Sequence, residues 1–522
     1  MVVIQQKSSS MISTTILVII IAFVSRLLGF LREVLIGNYF GTSKEADAYF
    51  IALTIPTILF TSVVTAIGTS YIPIYSEINE KKGNKHGLMF TNRVINIVLI
   101  LSIVLTLVGS FFTDVFVSLI AIGFDESTYK LAVSFTRLSF PMIVFIGLTT
   151  VYSAFLNANK QFIIPSAVVI PNNIIIIFSL VASPIFGIEG VIAASVIGMV
   201  CQSILLYKSI KSRGYFYNLS IGIRDEYIKK MGKLIFPIFI GSTVQQLNTF
   251  VDRMLASGAG AGSIAALNYG QKVNGFIVGI ISLSIASVVY PMLADANSSK
   301  NIDFFKKTMN SSINSISLLV TPLAVTTAIL SIPIVQFLFE RGVFNKEATI
   351  VTGGVLFYLS FGMLFYNYKD ILNKVFYALH DTKTPMINGV IAIGINILLS
   401  VVLVRKMGIN GIALANSISS LISTLLLFYN LKNRIIDLEF KPILSTFLKV
   451  LLATGVMGIV VHMTYKFSSL YLTRDSFVAE LVKLSFSIGS GLFLYLLFIY
   501  FLKIDEFKIF SSTMKSKIYR NK

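Results

Sequence analysis

The sequence has few of the residues that build disulfides, metal centres or a charged surface. Its 522 residues include one cysteine and three histidines, and charged residues make up 13% of the chain. The cysteine, Cys201, lies in an apolar run, and no internal disulfide can form with a single cysteine. The histidines, His86, His380 and His462, are far apart in the sequence and lack ligand spacing, which argues against a metal site.

What the sequence has instead is long apolar runs. Hydrophobic residues make up 55% of the chain, and runs of about 20 apolar residues, the length of helix that crosses a bilayer, recur from end to end. The first run includes Met11–Val24. It is too long for a signal-peptide core and has no small-residue cleavage site after it. The composition therefore predicts an all-α polytopic membrane protein.

About fourteen transmembrane helices are predicted from the apolar runs. Their ranges are 11–37, 47–74, 91–112, 131–156, 163–184, 188–209, 231–257, 264–293, 311–337, 349–378, 385–404, 409–430, 445–464 and 477–502. The loops alternate in charge: 80–86 and 208–233 are basic, whereas 124–128 and 258–263 lack Lys and Arg, with 405–408 as an exception. Cytoplasmic loops carry the excess of positive charge in membrane proteins, so we expect both termini in the cytoplasm.

The net charge of +19 would suggest a nucleic-acid partner in a soluble protein. Here the same asymmetry of basic loops accounts for it. We therefore expect no nucleic-acid partner.

The chain repeats itself at an offset of about 220 residues. Four short matches occur in the same order: LLGFLREVL with LNTFVDRML, SYIPI with VVYPM, LSFPM with LSFGM, and GIEGVIAAS with GINGIALAN. Each repeat has six spans, an even number, so the two repeats have the same orientation, as in transporters with a cavity between two halves. The predicted domains are an N-lobe, 1–215, a C-lobe, 216–435, and a C-terminal helix pair with a basic tail, 436–522.

Arginines occur within the first predicted span, where a central charge costs roughly 2.5–3.5 kcal/mol to insert. Arg26, Gly29 and Glu33 share one helix face, and Arg32 lies about 120° round from Arg26. The two arginines can therefore line neighbouring walls of one cavity beside Gly29. Because acids are few in the first six spans, the positive surplus predicts an anionic substrate, and the guanidinium fork suits phosphate.

Each of these charges also allows a purely structural interpretation. The arginines of the first span could pair with buried acids, such as Glu33 or Asp47. Lys272, early in the eighth span, either adds a charge to the cavity or extends to the outer interface. Arg137 and Lys369 are assigned to structural or interfacial positions.

A gate is predicted from the repeat. At an offset of 220 residues, Arg32-Glu33 falls on Asp252-Arg253, with the order of charge reversed. An axis along the membrane normal would relate the two repeats, so Arg32 could meet Asp252 and Glu33 could meet Arg253 to close the outer side. An anionic substrate that competes for Arg32 would loosen this closed state. The alternative is that each neighbouring pair is satisfied within its own repeat.

Four stretches of the chain carry a family resemblance. They are SRLLGFLRE (Ser25–Glu33), FGTSKEADAYFIALTIP (Phe40–Pro56), LFERGVF (Leu338–Phe344) and FYALHDTKTP (Phe376–Pro385). They resemble the MurJ/MviN lipid II flippases of the multidrug/oligosaccharidyl-lipid/polysaccharide exporter superfamily, and the resemblance covers nearly the whole chain. It implies fourteen helices, two six-helix lobes that form a V around a cationic cavity, and a final helix pair with a groove for a polyprenyl tail.

The resemblance also implies functional residues. The arginines of the family map onto Arg26 and Arg32, and its acid after the first loop maps onto Asp47, which we assign to the gate. Lys272 stands where the family has an arginine in the eighth helix, and Phe60 lies near the place of an arginine that some members carry in the second. The implied function is translocation of undecaprenyl-diphosphate-linked peptidoglycan precursor, lipid II, from the inner to the outer leaflet of the bacterial cytoplasmic membrane by alternating access.

Three other functions stay open at this point. One is a flippase for a polysaccharide repeat unit on the same lipid carrier. A multidrug or cation antiporter of the superfamily would have acids rather than arginines at the cavity centre. A membrane glycosyltransferase or ligase would need a large outer loop with catalytic carboxylates or histidine, whereas the outer loops here are short. We therefore expect no enzyme activity and no catalytic residue.

The sequence also leads to expectations about the energy source of transport and about the partners. The sequence has no P-loop pattern, so energy must come from the membrane potential, a Na⁺ or H⁺ gradient, or substrate supply, and no cofactor is expected. Some relatives bind sodium in the second lobe, which makes Asp252 with Asn388 a weak candidate pair. Expected partners are the undecaprenyl-diphosphate-linked sugar lipid, membrane lipids and cell-wall synthesis proteins, and we expect a monomer.

Overall fold

The structure, a computed structural model, describes residues 2–222, 224–434, 440–472, 476–504 and 506–507, without the side chains of 2–15 and 280–288. Within these ranges it is helical and contains no strand. Its helices are α1 (Val2–Phe40), α2 (Lys44–Lys82), α3 (Asn84–Phe111), α4 (Thr113–Ile120), α5 (Glu126–Ser139), α6 (Met142–Ala158), α7 (Ile163–Ala167), α8 (Val169–Val181), α9 (Ser183–Lys211), α10 (Glu226–Ser257), α11 (Ser263–Ser298), α12 (Ile302–Ile329), α13 (Ser331–Phe339), α14 (Lys346–Ser360), α15 (Met363–Ala378), α16 (Lys383–Met407), α17 (Ile409–Lys432), α18 (Lys441–Tyr471) and α19 (Phe477–Phe501). Most of the predicted basic tail falls on 508–522, outside the described residues.

Several helices begin where the sequence supplies a capping side chain. Ser43 accepts a hydrogen bond from the backbone N–H of Ala46 at the start of α2, and Asn345 accepts one from Ala348 at the start of α14. Asp225 caps α10 in the same way. Such side chains satisfy backbone donors that have no partner within the first turn. Polar residues between apolar runs therefore define the starts of these helices.

The number of membrane spans agrees with the prediction only in part. Ten helices of the described chain are long and apolar enough to cross a membrane, and two bent pairs raise this number to twelve. The helices α1 and α11 correspond to the predicted spans 11–37 and 264–293, but part of each lies outside the described side chains. The chain is thus a multi-pass membrane protein, and the count of fourteen stays a prediction.

Two predicted spans are bent rather than straight. The span predicted at 131–156 consists of α5 and α6, which meet at 41°, and the span predicted at 349–378 consists of α14 and α15, which meet at 44°. The first break is at Pro141, which lacks the N–H that continues a helix. The second is at Gly362, which stabilises a helix less than other residues do. The two breaks occupy the repeated stretches LSFPM and LSFGM.

The backbone repeats along with the sequence. Lys160 and His380, which follow α6 and α15, both have φ of 60°. Gly187 and Gly408 have φ of 63° and 57°, in the repeated stretches GIEGVIAAS and GINGIALAN. Left-handed residues are uncommon outside glycine, so their recurrence at an offset of about 220 residues supports the internal duplication.

The chain divides into two compact units, Met1–Ala265 and Ala266–Lys522. The helix α10, which the sequence assigns to the C-lobe, lies in the first unit and packs along α2. Lys230 near its start pairs with Glu77 near the end of α2, so the two helices run antiparallel. The functional lobes 1–215 and 216–435, and the segment 436–522, stay predictions.

In the second unit, α12, α15 and α17 share one core, and the pair α18–α19 packs on α12. The packing of the α18–α19 pair is apolar and includes Leu330, Val450 and Met457. The Tyr495 hydroxyl donates a hydrogen bond to the carbonyl of Leu318 over 2.6 Å. The helix pair is therefore a fixed part of this unit.

Candidate anion-binding site on α1

Arg32 is held at both ends of its guanidinium group. One Nη donates to Oδ1 of Asn173 on α8 over 3.1 Å, and the other lies 2.7 Å from Oε1 of Glu33. The side chain of Arg32 is 21% exposed and that of Glu33 is 4% exposed. The side chain of Arg32 is thus oriented by two partners, and its Nε is buried with no hydrogen-bond partner among the described residues.

Asn173 connects α1 to α8 at two points. Its Nδ2 donates to the carbonyl of Ser25 over 3.4 Å, in addition to the bond that its Oδ1 accepts from Arg32. It lies beside Gly29, where an added Cβ atom would come within 3.6 Å of Nδ2. The glycine therefore allows close approach, although an alanine would make only an ordinary contact.

Arg26 lies six residues before Arg32 on α1 and is exposed. It forms no ion pair with any residue that the structure describes. The two arginines thus differ: Arg32 is oriented by its neighbours, whereas Arg26 is free to reach a ligand. Both stay predicted binding residues.

Asp47 holds the first turn of α11. Its carboxylate accepts hydrogen bonds from the backbone N–H groups of Gly262 over 2.6 Å and Ala265 over 2.8 Å. A carboxylate is stabilising at a helix N-terminus because the N–H groups there point outward and the helix dipole is positive. This contact links the start of α2 to the start of α11 within the first unit.

The residues of the predicted gate all lie in the first unit, and the gate itself stays a prediction. Arg32 pairs with Glu33 on its own helix and not with Asp252, because its long side chain reaches the adjacent carboxylate while Asn173 fixes the other end. Arg253 is buried and donates to the carbonyl of Ile264 over 3.2 Å. The carboxylates of Asp252, Glu33 and Asp47 are close enough to act on its charge. Arg32 and Glu33 are thus paired within one repeat, and a pairing of Glu33 with Arg253 stays a prediction.

The remaining candidates lie apart in the chain. Lys272 is an exposed residue of α11. Asn388 is buried in α16, and its Oδ1 accepts a hydrogen bond from Asn430 over 3.2 Å. No group of three His, Cys, Asp or Glu side chains among the described residues could hold a metal ion. The pairing of Asp252 with Asn388 around sodium stays a prediction.

Two of the family motifs have structural roles. In LFERGVF, Phe339 and Phe344 pack against the buried ring of Tyr269. In FYALHDTKTP, Asp381 accepts hydrogen bonds from the backbone N–H and the hydroxyl of Thr384 over 3.0 and 2.8 Å. These bonds, together with Arg434, lower the pKa of Asp381. Both motifs therefore fix the ends of helices outside the candidate site.

Sequence reasoning missed two features of the first unit. One is Asn173, for which the polar pair Asn172-Asn173 within an apolar run was an available signal. The other is an open cleft of about 640 Å³ between α2, α6 and their neighbours. Its polar lining is neutral and includes Thr65, Thr149 and Ser153. A cleft with hydroxyl and amide groups and no charge suits a neutral polar ligand.

The sequence was compared with known families and proteins. The model of the family described as "Lipid II flippase MurJ" matches residues 36–482. The chain belongs to this family. It is 30% identical over 456 residues to the lipid II flippase MurJ of Thermosipho africanus, covering 87% of this chain and 91% of that protein. It is 28% identical to the probable lipid II flippase MurJ of Rickettsia prowazekii, covering 94% of this chain and 98% of that protein.

Solved structures agree with the family. A lipid II flippase MurJ in an inward closed conformation matches with a TM-score of 0.79 and 30% identity, over 92% of this chain and 98% of that one. An inward-facing multidrug resistance transporter of the MATE family matches with a TM-score of 0.67 at 14% identity, over 80% of this chain. The second match shows a shared fold alone. The first match agrees with the family that the sequence comparison shows.

Proposed function

We propose that the protein translocates an undecaprenyl-diphosphate-linked peptidoglycan precursor, lipid II, from the inner to the outer leaflet of the bacterial cytoplasmic membrane. The observation that carries the proposal is the arginine pair on α1: Arg32 is oriented by Asn173 and Glu33 with its side chain partly exposed, and Arg26 is exposed on the same helix. Membership of the MurJ family supports the same cargo.

The chemistry of the diphosphate fits this pair. Guanidinium groups make charge-assisted, two-pronged hydrogen bonds to phosphate oxygens. Within a membrane span such a group is stable only where it faces water, a partner or an anion. A diphosphate passing along α1 would provide the counter-charge that Arg26 lacks among the described residues.

The proposal also covers the orientation of the protein in the membrane, the energy source of transport and the partners. Both termini lie in the cytoplasm, the protein acts as a transporter and not as an enzyme, and alternating access exposes the cavity first inside and then outside. Energy comes from the membrane potential or a Na⁺ or H⁺ gradient, without a cofactor. The protein works as a monomer beside the enzymes of cell-wall synthesis, and Lys272 adds a positive charge from the second lobe.

The proposal is tested with Arg26→Ala and Arg32→Ala in a strain that depends on the protein. Each variant should insert at the normal level, fail to support growth, and cause lipid II to accumulate on the inner leaflet, because the diphosphate loses a bidentate contact. Arg26→Lys and Arg32→Lys should restore only part of the transport, since an ammonium is a point charge. The measurement is extraction and mass analysis of the accumulated lipid.

Arg137→Ala is the matched control, because Arg137 is an exposed arginine that pairs with Asp114 at the surface. It should leave transport unchanged. Normal growth of both α1 alanine variants after removal of the native copy would contradict the proposal. Accumulation of a different lipid-linked sugar would assign the protein to the polysaccharide class of flippase instead.

A further inference from the structure

The helix α15 carries a polar stripe along the face opposite its core contacts. Tyr366 and Tyr377 are 50% and 42% exposed, and Lys369, Asp370 and Lys374 lie between them, each partly exposed. These five positions follow the spacing of one helix face. We call them the α15 stripe.

The charges of the α15 stripe are unequal. Lys374 pairs with Asp370 over 2.8 Å. Lys369 lies 4.9 Å from the ring centre of Tyr366 and forms no ion pair with any described residue. The stripe therefore has one positive charge that its own side chains do not neutralise.

The position of Lys369 along the predicted span argues against a lipid-facing stripe. Lys369 is nine residues, or roughly 14 Å, from the end of α15 at Ala378, farther than its side chain extends. A charged group at this depth is costly against lipid and is found facing water or a binding partner. The stripe therefore lines an aqueous space, which gives Lys369 a role beyond the structural or interfacial position that the sequence predicts for it.

The internal repeat gives an independent indication of the same surface. The register that aligns LSFPM with LSFGM places Thr149 of α6 on Asp370 and Ser153 on Lys374. Thr149 and Ser153 line the 640 Å³ cleft of the first unit. The same helix face thus borders an open space in one repeat and carries charges in the other.

We propose that the α15 stripe binds an anionic group of the translocated lipid's head, a carboxylate or a phosphate, through Lys369. The ring of Tyr366 holds the ammonium in place by a cation–π contact, and Asp370 keeps Lys374 beside it. The proposal rests on the proposed function and assigns a second contact to the cargo, on a different helix from the arginines. It divides the repeats chemically, with neutral hydroxyl groups on α6 and charged groups on α15.

The test uses the full protein reconstituted in vesicles and two cargoes. One is undecaprenyl-diphosphate muropeptide with free peptide carboxylates, and the other is the same lipid with those carboxylates amidated. Lys369→Met keeps the length of the side chain and removes its charge. We expect the half-saturating cargo concentration to rise about tenfold, the change produced by loss of one charge-assisted contact, and Lys369→Arg to restore it.

The two cargoes identify the anion. If the half-saturating concentration rises only for the cargo with free carboxylates, Lys369 contacts the peptide. If it rises equally for both cargoes, Lys369 contacts the diphosphate. Lys346→Met, at the exposed start of α14, is the matched control. It should leave the half-saturating concentration of both cargoes unchanged. Unchanged transport of both cargoes by Lys369→Met, or failure of Lys369→Arg to restore binding, would overturn the proposal. If the unaltered protein moves neither cargo, the proposed function itself fails.

Discussion

At the scale of single residues, the orientation of Arg32 depends on a partner that lies 141 positions away in the sequence. Asn173 accepts from Arg32 and donates to the carbonyl of Ser25. An amide is suited to this position because it has both an acceptor and a donor. Asn173 thus orients one end of the guanidinium group without adding a second carboxylate to the one that Glu33 already supplies.

We predict that Asn173→Ala reduces transport strongly while the protein still inserts. The variant leaves Nη1 of Arg32 without its acceptor, and a lost hydrogen bond to a charged group costs about 1.5–3 kcal/mol. The measurement is the transport rate in vesicles together with thermal unfolding. Asn172→Ala is the matched control, because Oδ1 of Asn172 has no hydrogen-bond partner among the described residues. Equal effects of the two variants would show that Asn173 does not position Arg32.

At the scale of helices and loops, a strap joins the two repeats. The segment between α9 and α10 lies on α3, where Asn92 donates to the carbonyl of Phe216 over 3.0 Å. Asn96 donates to the carbonyls of Asn218 and Ser220 over 2.9 and 3.0 Å. Two side chains one turn apart therefore satisfy the backbone of an irregular segment. This attachment explains why α10 belongs to the first unit.

The connection from α15 to α16 predicts a dependence of stability on pH. Asp381 accepts hydrogen bonds from Thr384 in the first turn of α16, and these bonds and Arg434 lower its pKa. A lowered carboxyl pKa stabilises the fold above the unfolded pKa, and this stabilisation is lost as the pH falls through the folded pKa. Asp381→Ala should therefore cost about 1 kcal/mol at pH 7, and less below about pH 4.

Thermal unfolding of the purified protein at pH 7, 5 and 3.5 measures this effect. Asp303→Ala, which removes an exposed acid from the first turn of α12, is the control and should change little at any of these pH values. A stability difference between Asp381→Ala and the unaltered protein that is as large at pH 3.5 as at pH 7 would contradict the prediction.

The sequence predicted elements that follow from local pattern and missed contacts between distant segments. Apolar runs of helical length predicted the spans, and short repeated stretches predicted the duplication that the backbone at Lys160 and His380 repeats. The bends at Pro141 and Gly362 were missed because an apolar run has the same composition whether its helix is straight or bent. The partners of Asn173 and of the strap could not be predicted because these bonds join segments more than 100 residues apart.

At the scale of the whole molecule, buried charges gather at one end of the first unit. Glu33, Asp47, Asp252 and Arg253 are each less than a tenth exposed. The turn after α10 also packs there, since the Ser257 hydroxyl donates to the carbonyl of Ile120 over 2.9 Å. Under the proposed orientation this end faces outward. The charges would then hold the outer side closed while cargo enters from the cytoplasm.

The last prediction is that Asp47→Ala opens this end. The variant removes both hydrogen bonds that fasten Gly262 and Ala265 to α2, and bonds to a carboxylate are worth about 1.5–3 kcal/mol each. The single cysteine, Cys201, allows a clean assay: Cys201→Ser removes it, and Ser257→Cys places a small thiol at the buried junction. We expect a membrane-impermeant maleimide added outside to label this thiol about tenfold faster in Asp47→Ala. The control is Glu45→Ala, which removes an exposed acid from the same turn and should leave the labelling rate unchanged. If Asp47→Ala is also labelled at the rate of the unaltered protein, Asp47 does not keep this end closed.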